Sequence, residues 1–277
     1  MPFANINGRQ IFYRESGSGE ITLVCLHGIS SNSRSWQRQL ELLADRYRVI
    51  AWDAPGYGQS AEHPGAYTRG NQGEQPEGLP KMGWYADQLA GLLDALQLPK
   101  AVIVGLSMGG VLAQEFYRRH PERVLALVLS DTNTGGGARP PAERQARLEG
   151  RLKALAELSL EEMARQRAPA LLSPEPAPGL VAEVEAMIRE LHPAGYRAMV
   201  LALDAADTRP VLPTVAVPAL VMWGDQDRVT PRPEADILRT GIPGAAFEII
   251  PGAGHLSNLE QPAAFNRAVA AFLDKNL

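Results

Sequence analysis

The stretch Ala101-Val102-Ile103-Val104-Gly105-Leu106-Ser107-Met108-Gly109-Gly110 constrains this chain more than any other. Its four leading apolar, mostly β-branched residues predict a buried strand. Gly-x-Ser-x-Gly follows at once, from Gly105 to Gly109, and residues 111–120 read as a helix that Pro121 ends. A chain that passes from strand to helix within so few residues pushes the turn residue out beyond the sheet and strains its backbone. Glycines on either side let strand and helix approach that closely. Ser107 is therefore expected to stand exposed as a nucleophile, with helix N-terminal amides beside the place where negative charge would develop.

The rest of the chain repeats this alternation. Apolar runs at 21–26, 47–51, 124–129, 219–223 and 247–250 predict further strands. Helical spacing recurs at 36–44, 84–96 and 262–273. Asn7-Gly8, between strand-like residues 3–6 and 11–15, signals a hairpin. Strands alternating with helices predict an α/β fold, a mostly parallel central sheet flanked by helices and joined by right-handed crossovers. Residues 133–208 interrupt the alternation once, between two late strands. They are rich in Ala, Leu, Glu and Arg, open on Gly135-Gly136-Gly137, and carry a capping box at Ser159-x-x-Glu162. They predict a helical cap over the sheet's carboxyl edge, where open α/β sheets bind ligands. The core would then be 1–132 and 209–277. Residues 61–81 also break the rhythm with glycines and prolines, and 67–80 are expected to be the least ordered internal segment, a flap or a surface loop.

Composition narrows the function classes. A chain of 277 residues with 45% hydrophobic content can bury a full core, and a net charge of −4 argues against nucleic acid or an anionic membrane as partner. The single Cys25 leaves no intramolecular disulfide, and the first residues show neither a basic nor an apolar leader segment. These features predict a cytoplasmic protein acting on a small-molecule substrate, and they leave homo-oligomerisation open. No Cys/His cluster, dinucleotide fingerprint or phosphate loop stands out, so neither a metal nor a cofactor is expected.

A serine hydroxyl needs a base and an orienting acid to act at neutral pH. The run at 219–223 delivers Gly224-Asp225-Gln226-Asp227, and the run at 247–250 delivers Pro251-Gly252-Ala253-Gly254-His255. Both follow strand ends, as Ser107 does, so the three can meet despite their separation. Of the five histidines, His63, His120 and His192 read as solvated, and His27 reads as a buttress for the loop that follows it. His255 remains as the base. Asp227, further into its loop than Asp225, is the favoured acid, with Asp225 structuring the turn. The backbone N–H groups of Ile29 and Met108 are the expected oxyanion donors.

The motifs His27-Gly28, Asp53-Ala54-Pro55-Gly56-Tyr57-Gly58-Gln59-Ser60, Gly105 to Gly110, Gly224-Asp225-Gln226-Asp227 and Gly254-His255 together resemble the α/β-hydrolase superfamily along almost the whole chain. Within it, residues 105–110, 127–132 and 254–262 look most like the 3-oxoadipate enol-lactone hydrolases. The resemblance implies the order Ser, acid, His for the triad. It also implies cleavage of a small carboxylic ester or lactone through an acyl-enzyme. A serine at 107, where some relatives carry aspartate to attack saturated carbon, points to attack on a carbonyl. Two other readings remain: hydrolysis of a carbon–carbon bond in a dioxo acid, and ligand binding without turnover. An anionic lactone would need a cationic partner, for which Arg34 and Arg139 are the expected candidates.

Overall fold

The computed structural model describes residues 2–62 and 81–277. His63 and the expected flap at 67–80 lie outside the described residues.

The chain opens with strands β1 (Phe3–Ile6) and β2 (Arg9–Ser16). Asn7 and Gly8 both take positive φ, 51° and 83°, as the tight hairpin turn requires. Strand β3 (Thr22–Leu26), helix α1 (Gln37–Leu42), strand β4 (Arg48–Trp52), helix α2 (Met82–Ala95), strand β5 (Ala101–Leu106), helix α3 (Met108–Arg119) and strand β6 (Val124–Ser130) follow. Four helices come next: α4 (Pro141–Glu157), α5 (Leu160–Leu171), α6 (Leu180–Arg189) and α7 (Pro193–Ala205). The chain closes with β7 (Ala219–Gly224), α8 (Arg232–Gly241), β8 (Ala246–Ile250), the short α9 (Ser257–Glu260) and α10 (Pro262–Asn276).

The eight strands form one sheet in the order β1-β2-β4-β3-β5-β6-β7-β8. The pairs β1/β2 and β2/β4 are antiparallel, and every pair from β4 through β3, β5, β6 and β7 to β8 is parallel. Parallel strands all end at one edge of the sheet. The loops after β3, β4, β5, β6, β7 and β8 therefore share that edge, and this brings residues from position 27 to position 255 together. Strand β5 lies between β3 and β6 with every residue buried, the expected result for a strand covered by helices on both faces.

Two details differ from the sequence expectation. Residues 36–44 do not form one helix: a single 3-10 turn at Ser33–Trp36 leads into α1. Asn32 caps that turn by accepting from Arg34 N at 3.0 Å, so the chain begins to coil before the apolar pattern starts. Helix α8 had no counterpart in the apolar pattern, because it buries only Ala235 and Leu238. Helices α4 to α7 occupy the segment between β6 and β7, and the capping box at the start of α5 is formed in full by Ser159 and Glu162. Among the described residues no helix is long and apolar enough to cross a membrane.

Candidate active site

Ser107 sits between β5 and α3 with φ 54° and ψ −118°, a strained conformation for a residue with a side chain. The turn is held by short-range contacts. Ser107 N donates to Ser130 O at 3.0 Å, and Thr132 Oγ1 donates to Ser107 O. The flanking glycines are required by space: a Cβ on Gly105 would stand 2.4 Å from Gly109 O, and one on Gly109 would stand 2.1 Å from Leu26 O. Strand and helix therefore touch backbone to backbone, and the half-buried Ser107 is left facing a cavity.

Two buried side chains converge on it. With its proton on Nδ1, His255 donates to Asp227 Oδ2 at 2.8 Å, and its Nε2 accepts from the Ser107 hydroxyl at 2.8 Å. Asp227 is fixed in turn by Val229 N, which donates to Oδ1 at 2.7 Å, by Thr230 N at 3.1 Å, and by the Thr230 hydroxyl on Oδ2. Burial alone would raise the Asp227 pKa, but the charge and hydrogen bond of His255, with the donors of Thr230, hold it below the usual carboxylate value. Burial alone would lower the pKa of His255. The Asp227 carboxylate outweighs burial, and the imidazole ends above the ordinary histidine value. This is the electrostatic arrangement of a base poised to accept a proton from a hydroxyl.

Asp225 takes a different part: its Oδ1 accepts from Gly252 N at 2.8 Å, tying the loop after β7 to the loop after β8. His255 is seated by its backbone. Its N–H donates to Leu171 O at 3.0 Å, and Glu260 accepts from Gly254 N at 2.7 Å and from Ser173 N at 2.8 Å. The helical segment is thus bonded directly to the histidine loop. His27 is wholly buried; its Nδ1–H donates to Gly28 O at 2.8 Å and its Nε2 accepts from Ala54 N at 3.0 Å. Burial lowers its pKa, so it stays neutral and fixes the loop 28–31. Ile29 lies in that loop and lines the cavity. Among the described residues neither Ile29 N nor Met108 N has a hydrogen-bond acceptor, and both are close in the chain to groups that face the cavity. His120 and His192, expected to be solvated, stand near carboxylates: His120 Nε2 is 3.0 Å from Asp87, and His192 Nδ1 is 3.4 Å from Glu62.

Arg34 and Arg139, the expected carboxylate partners, lie elsewhere. Neither lines the cavity at Ser107. Arg34 pairs with Glu190 in a separate open depression. Arg139 is held between Glu143 and Glu234, at 2.6 and 2.5 Å. Their loops run toward the carboxyl edge, but nearby acids claim both side chains. The arginines that do line the cavity are Arg151 of α4 and Arg167 of α5. Sequence reading passed over them because an arginine on an amphipathic helix has no local mark that separates a cavity-facing position from a solvated one.

Asp131 was missed as well. It follows β6 with φ 47°, is wholly buried, and accepts from Gly224 N at 2.7 Å, from Ser130 Oγ at 2.7 Å and from the Ser257 hydroxyl. Burial, aided by the nearby Asp227 charge, pushes its pKa up to about 7. The signal available in the sequence was its place directly after an apolar strand.

A serine on a strained strand-to-helix turn, bonded to a histidine and through it to an aspartate at the carboxyl edge of a parallel sheet, is an arrangement with the chemical means for nucleophilic attack. A family model described as the alpha/beta hydrolase fold matches residues 21–262, and the chain belongs to that family. It is similar to 3-oxoadipate enol-lactonase 2 of Acinetobacter baylyi, 32% identical over 91% of this chain and 88% of the relative. It is 31% identical to 2-hydroxy-6-oxononadienedioate/2-hydroxy-6-oxononatrienedioate hydrolase 1 of Dechloromonas aromatica, over 95% of this chain and 90% of that one. Among solved structures, a thermophilic esterase from Thermogutta terrifontis with malate bound superposes with a TM-score of 0.86 at 29% identity, covering 99% of this chain and 98% of the esterase.

Proposed function

We propose that this protein hydrolyses a small carboxylic ester or lactone through a Ser107–His255–Asp227 triad. The observation that carries the reading is the continuous hydrogen-bonded line Ser107 Oγ, His255, Asp227, with 2.8 Å at each step. Ser107 Oγ attacks the substrate carbonyl carbon while its proton passes to His255 Nε2. The oxygen that becomes negative is received by the N–H groups of Ile29 and Met108. Collapse breaks the bond to the leaving oxygen, which takes the proton from His255, and an ester on Ser107 remains. Water then attacks that ester, giving its proton to His255. The acid leaves, and Ser107 recovers the proton. Asp227 keeps the imidazole in one tautomer and stabilises its charged form.

The segment 133–208 serves in this reading as a cap on a core of 1–132 and 209–277, since α4, α5 and α6 supply one wall of the cavity beside Ser107. The partly enclosed cavity beside Ser107 is lined largely by apolar side chains, which suits the carbon skeleton of a small substrate. The Acinetobacter relative supports an enol-lactone as the particular substrate. The similarity to the Dechloromonas hydrolase favours a second reading, carbon–carbon bond cleavage by the same residues.

The test is turnover of three substrate sets under one set of conditions: enol-lactones, aryl esters and vinylogous dioxo acids. Faster hydrolysis of a lactone or ester supports the first reading. Turnover confined to the dioxo acids supports the second. Tight binding without turnover of any set would contradict both and leave a ligand-binding protein.

A further inference from the structure

Arg151 and Arg167 line the cavity at Ser107 and lack the acidic partners that hold Arg139 and Arg144 of the same helical segment. Arg139 and Arg144 each contact a carboxylate within 2.7 Å. Arg151 has no ion pair and no hydrogen-bond partner among the described residues. Arg167 has one neutral contact, donating from Nε to Ser30 Oγ at 3.2 Å. The charged groups felt most strongly by Arg151 are two more arginines, Arg167 and Arg147. Burial and these like charges push its pKa down to about 10, against the phenol oxygens of Tyr196 and Tyr57. Two cations brought together from two helices, at the wall of a partly enclosed cavity and without a counter-ion, cost free energy unless an anion arrives.

A second observation points to the same place. The hydroxyls of Tyr57 and Tyr196 are buried and have no hydrogen-bond partner, although each ring is only 1% exposed. They belong to different parts of the fold, the loop after β4 and the first turn of α7. Adjacent glycines bring those parts together: a Cβ on Gly195 would stand 1.9 Å from Gly56 O, so the two backbones meet at van der Waals contact. Both hydroxyls interact electrostatically with Arg151. Two guanidinium groups without an acid, beside two phenol O–H groups without an acceptor, form a set of donors short of an anionic acceptor.

We propose that Arg151 and Arg167 bind a carboxylate of the substrate, so that the ester or lactone cleaved at Ser107 carries a second, ionised carboxyl group. This rests on the reading of Ser107 as the attacking residue. The two arginines are specificity-determining residues; the apolar wall of the same cavity, with Leu171, Val184 and Met187, takes the carbon chain between the reacting carbonyl and the carboxylate.

The test compares two aryl esters with the same five-carbon acyl chain, the mono-4-nitrophenyl ester of glutaric acid and 4-nitrophenyl pentanoate. The wild-type protein is expected to favour the glutarate ester in kcat/KM. Arg151→Gln and Arg167→Gln are each expected to lower the glutarate-to-pentanoate ratio by about 10-fold or more, the loss expected for one hydrogen bond to a charged group. Arg167→Lys should keep part of the preference. Free glutarate should inhibit pentanoate hydrolysis competitively in the wild type and less well in the glutamine variants. A wild type that favours the pentanoate ester overturns the proposal, as does an unchanged ratio in variants whose circular dichroism is that of the wild type. Should the glutamine variants fail to fold, the wild-type ratio and Arg167→Lys still decide. Hydrolysis of pentanoate with no glutarate preference removes only the carboxylate site. Absence of all ester turnover, with no fluorophosphonate label on Ser107, removes the hydrolase reading itself.

Discussion

The carboxyl edge of the sheet and the helical segment above it face the same cavity but are held in different ways. At the edge, position is fixed by backbone: Gly105 against Gly109, Gly109 against Leu26, and main-chain bonds from Ser107 to Ser130 and from Gln226 to Ala253. Every residue of β5 is buried, whereas no residue of α4 is. The helices above bury apolar side chains such as Met163, Val184 and Met199, and add charged pairs at partly exposed sites, among them Arg144 with Asp204, Arg189 with Glu161 and Arg38 with Glu183. A backbone contact has almost no slack, and an exposed ion pair has a great deal. Ser107, His255 and Asp227, the proposed triad, stand on the rigid side, and the cavity wall that carries Arg151 and Arg167 stands on the more exposed one.

If that contrast is right, the largest effects belong to the edge. Asp227→Asn is expected to lower kcat by about 10⁴-fold, because the imidazole loses its tautomer partner. Asp225→Asn, which loses a turn contact only, should cost less than about 10-fold. The acid limb of kcat/KM gives a second readout. Asp227 raises the pKa of His255, and turnover needs the neutral imidazole, so the limb should move to lower pH in Asp227→Asn. Steady-state kinetics on any turned-over aryl ester check both points, and the reverse ranking of the two variants would move the acid to Asp225.

Gly109→Ala comes next. The new methyl would meet Leu26 O at 2.1 Å, and neither backbone can move without displacing β3 or the turn at Ser107. A loss of about 3 kcal/mol or more is expected from such overpacking, read as a lowered urea midpoint. An alanine variant as stable as the wild type would show that strand and helix have room to part.

These edge features are also the ones the sequence displayed. Glycine spacing around Ser107, the hairpin at Asn7-Gly8 and the positions of Asp227 and His255 just past apolar strands are local patterns with a backbone cause. The expected sheet and the segment between β6 and β7 followed from the same alternation. The helices above the edge left no such trace beyond their amphipathic pattern. Whether Arg34, Arg139, Arg151 or Arg167 faces the cavity depends on which acids lie nearby in space, and Glu190, Glu143 and Glu234 had already claimed the first two. Asp131 was hidden for a related reason: its burial beside Asp227 is set by sheet order rather than by neighbouring residues.

Asp131 gives a smaller effect that divides the edge by charge. Its pKa rises on folding from the ordinary 3.8 to about 7, so the folded state holds a proton that the unfolded state releases earlier. Its contribution to stability is fully present below pH 4 and is lost progressively as pH rises toward 7. Asp131→Asn cannot ionise, so its stability relative to the wild type should improve from pH 5 to pH 8. Thermal unfolding should show a shift in relative Tm of about 2–4 °C for each kcal/mol involved. A difference that does not vary with pH would mean that Asp131 ionises freely in the fold.

The smallest effect lies in the helical segment. Arg144→Ala removes the pair with Asp204 from a side chain that is 40% exposed, and should cost at most about 1 kcal/mol. A loss as large as that of Gly109→Ala would abolish the distinction between the rigid and the more exposed side.

The central claim is that His255 and Asp227 activate Ser107. Treatment with a serine-directed fluorophosphonate followed by peptide mapping tests it most directly. The account predicts one adduct, on Ser107, formed by the wild type, absent from Ser107→Ala and strongly slowed in His255→Ala. Labelling of a different serine, or labelling of Ser107 at an unchanged rate in His255→Ala, would contradict it.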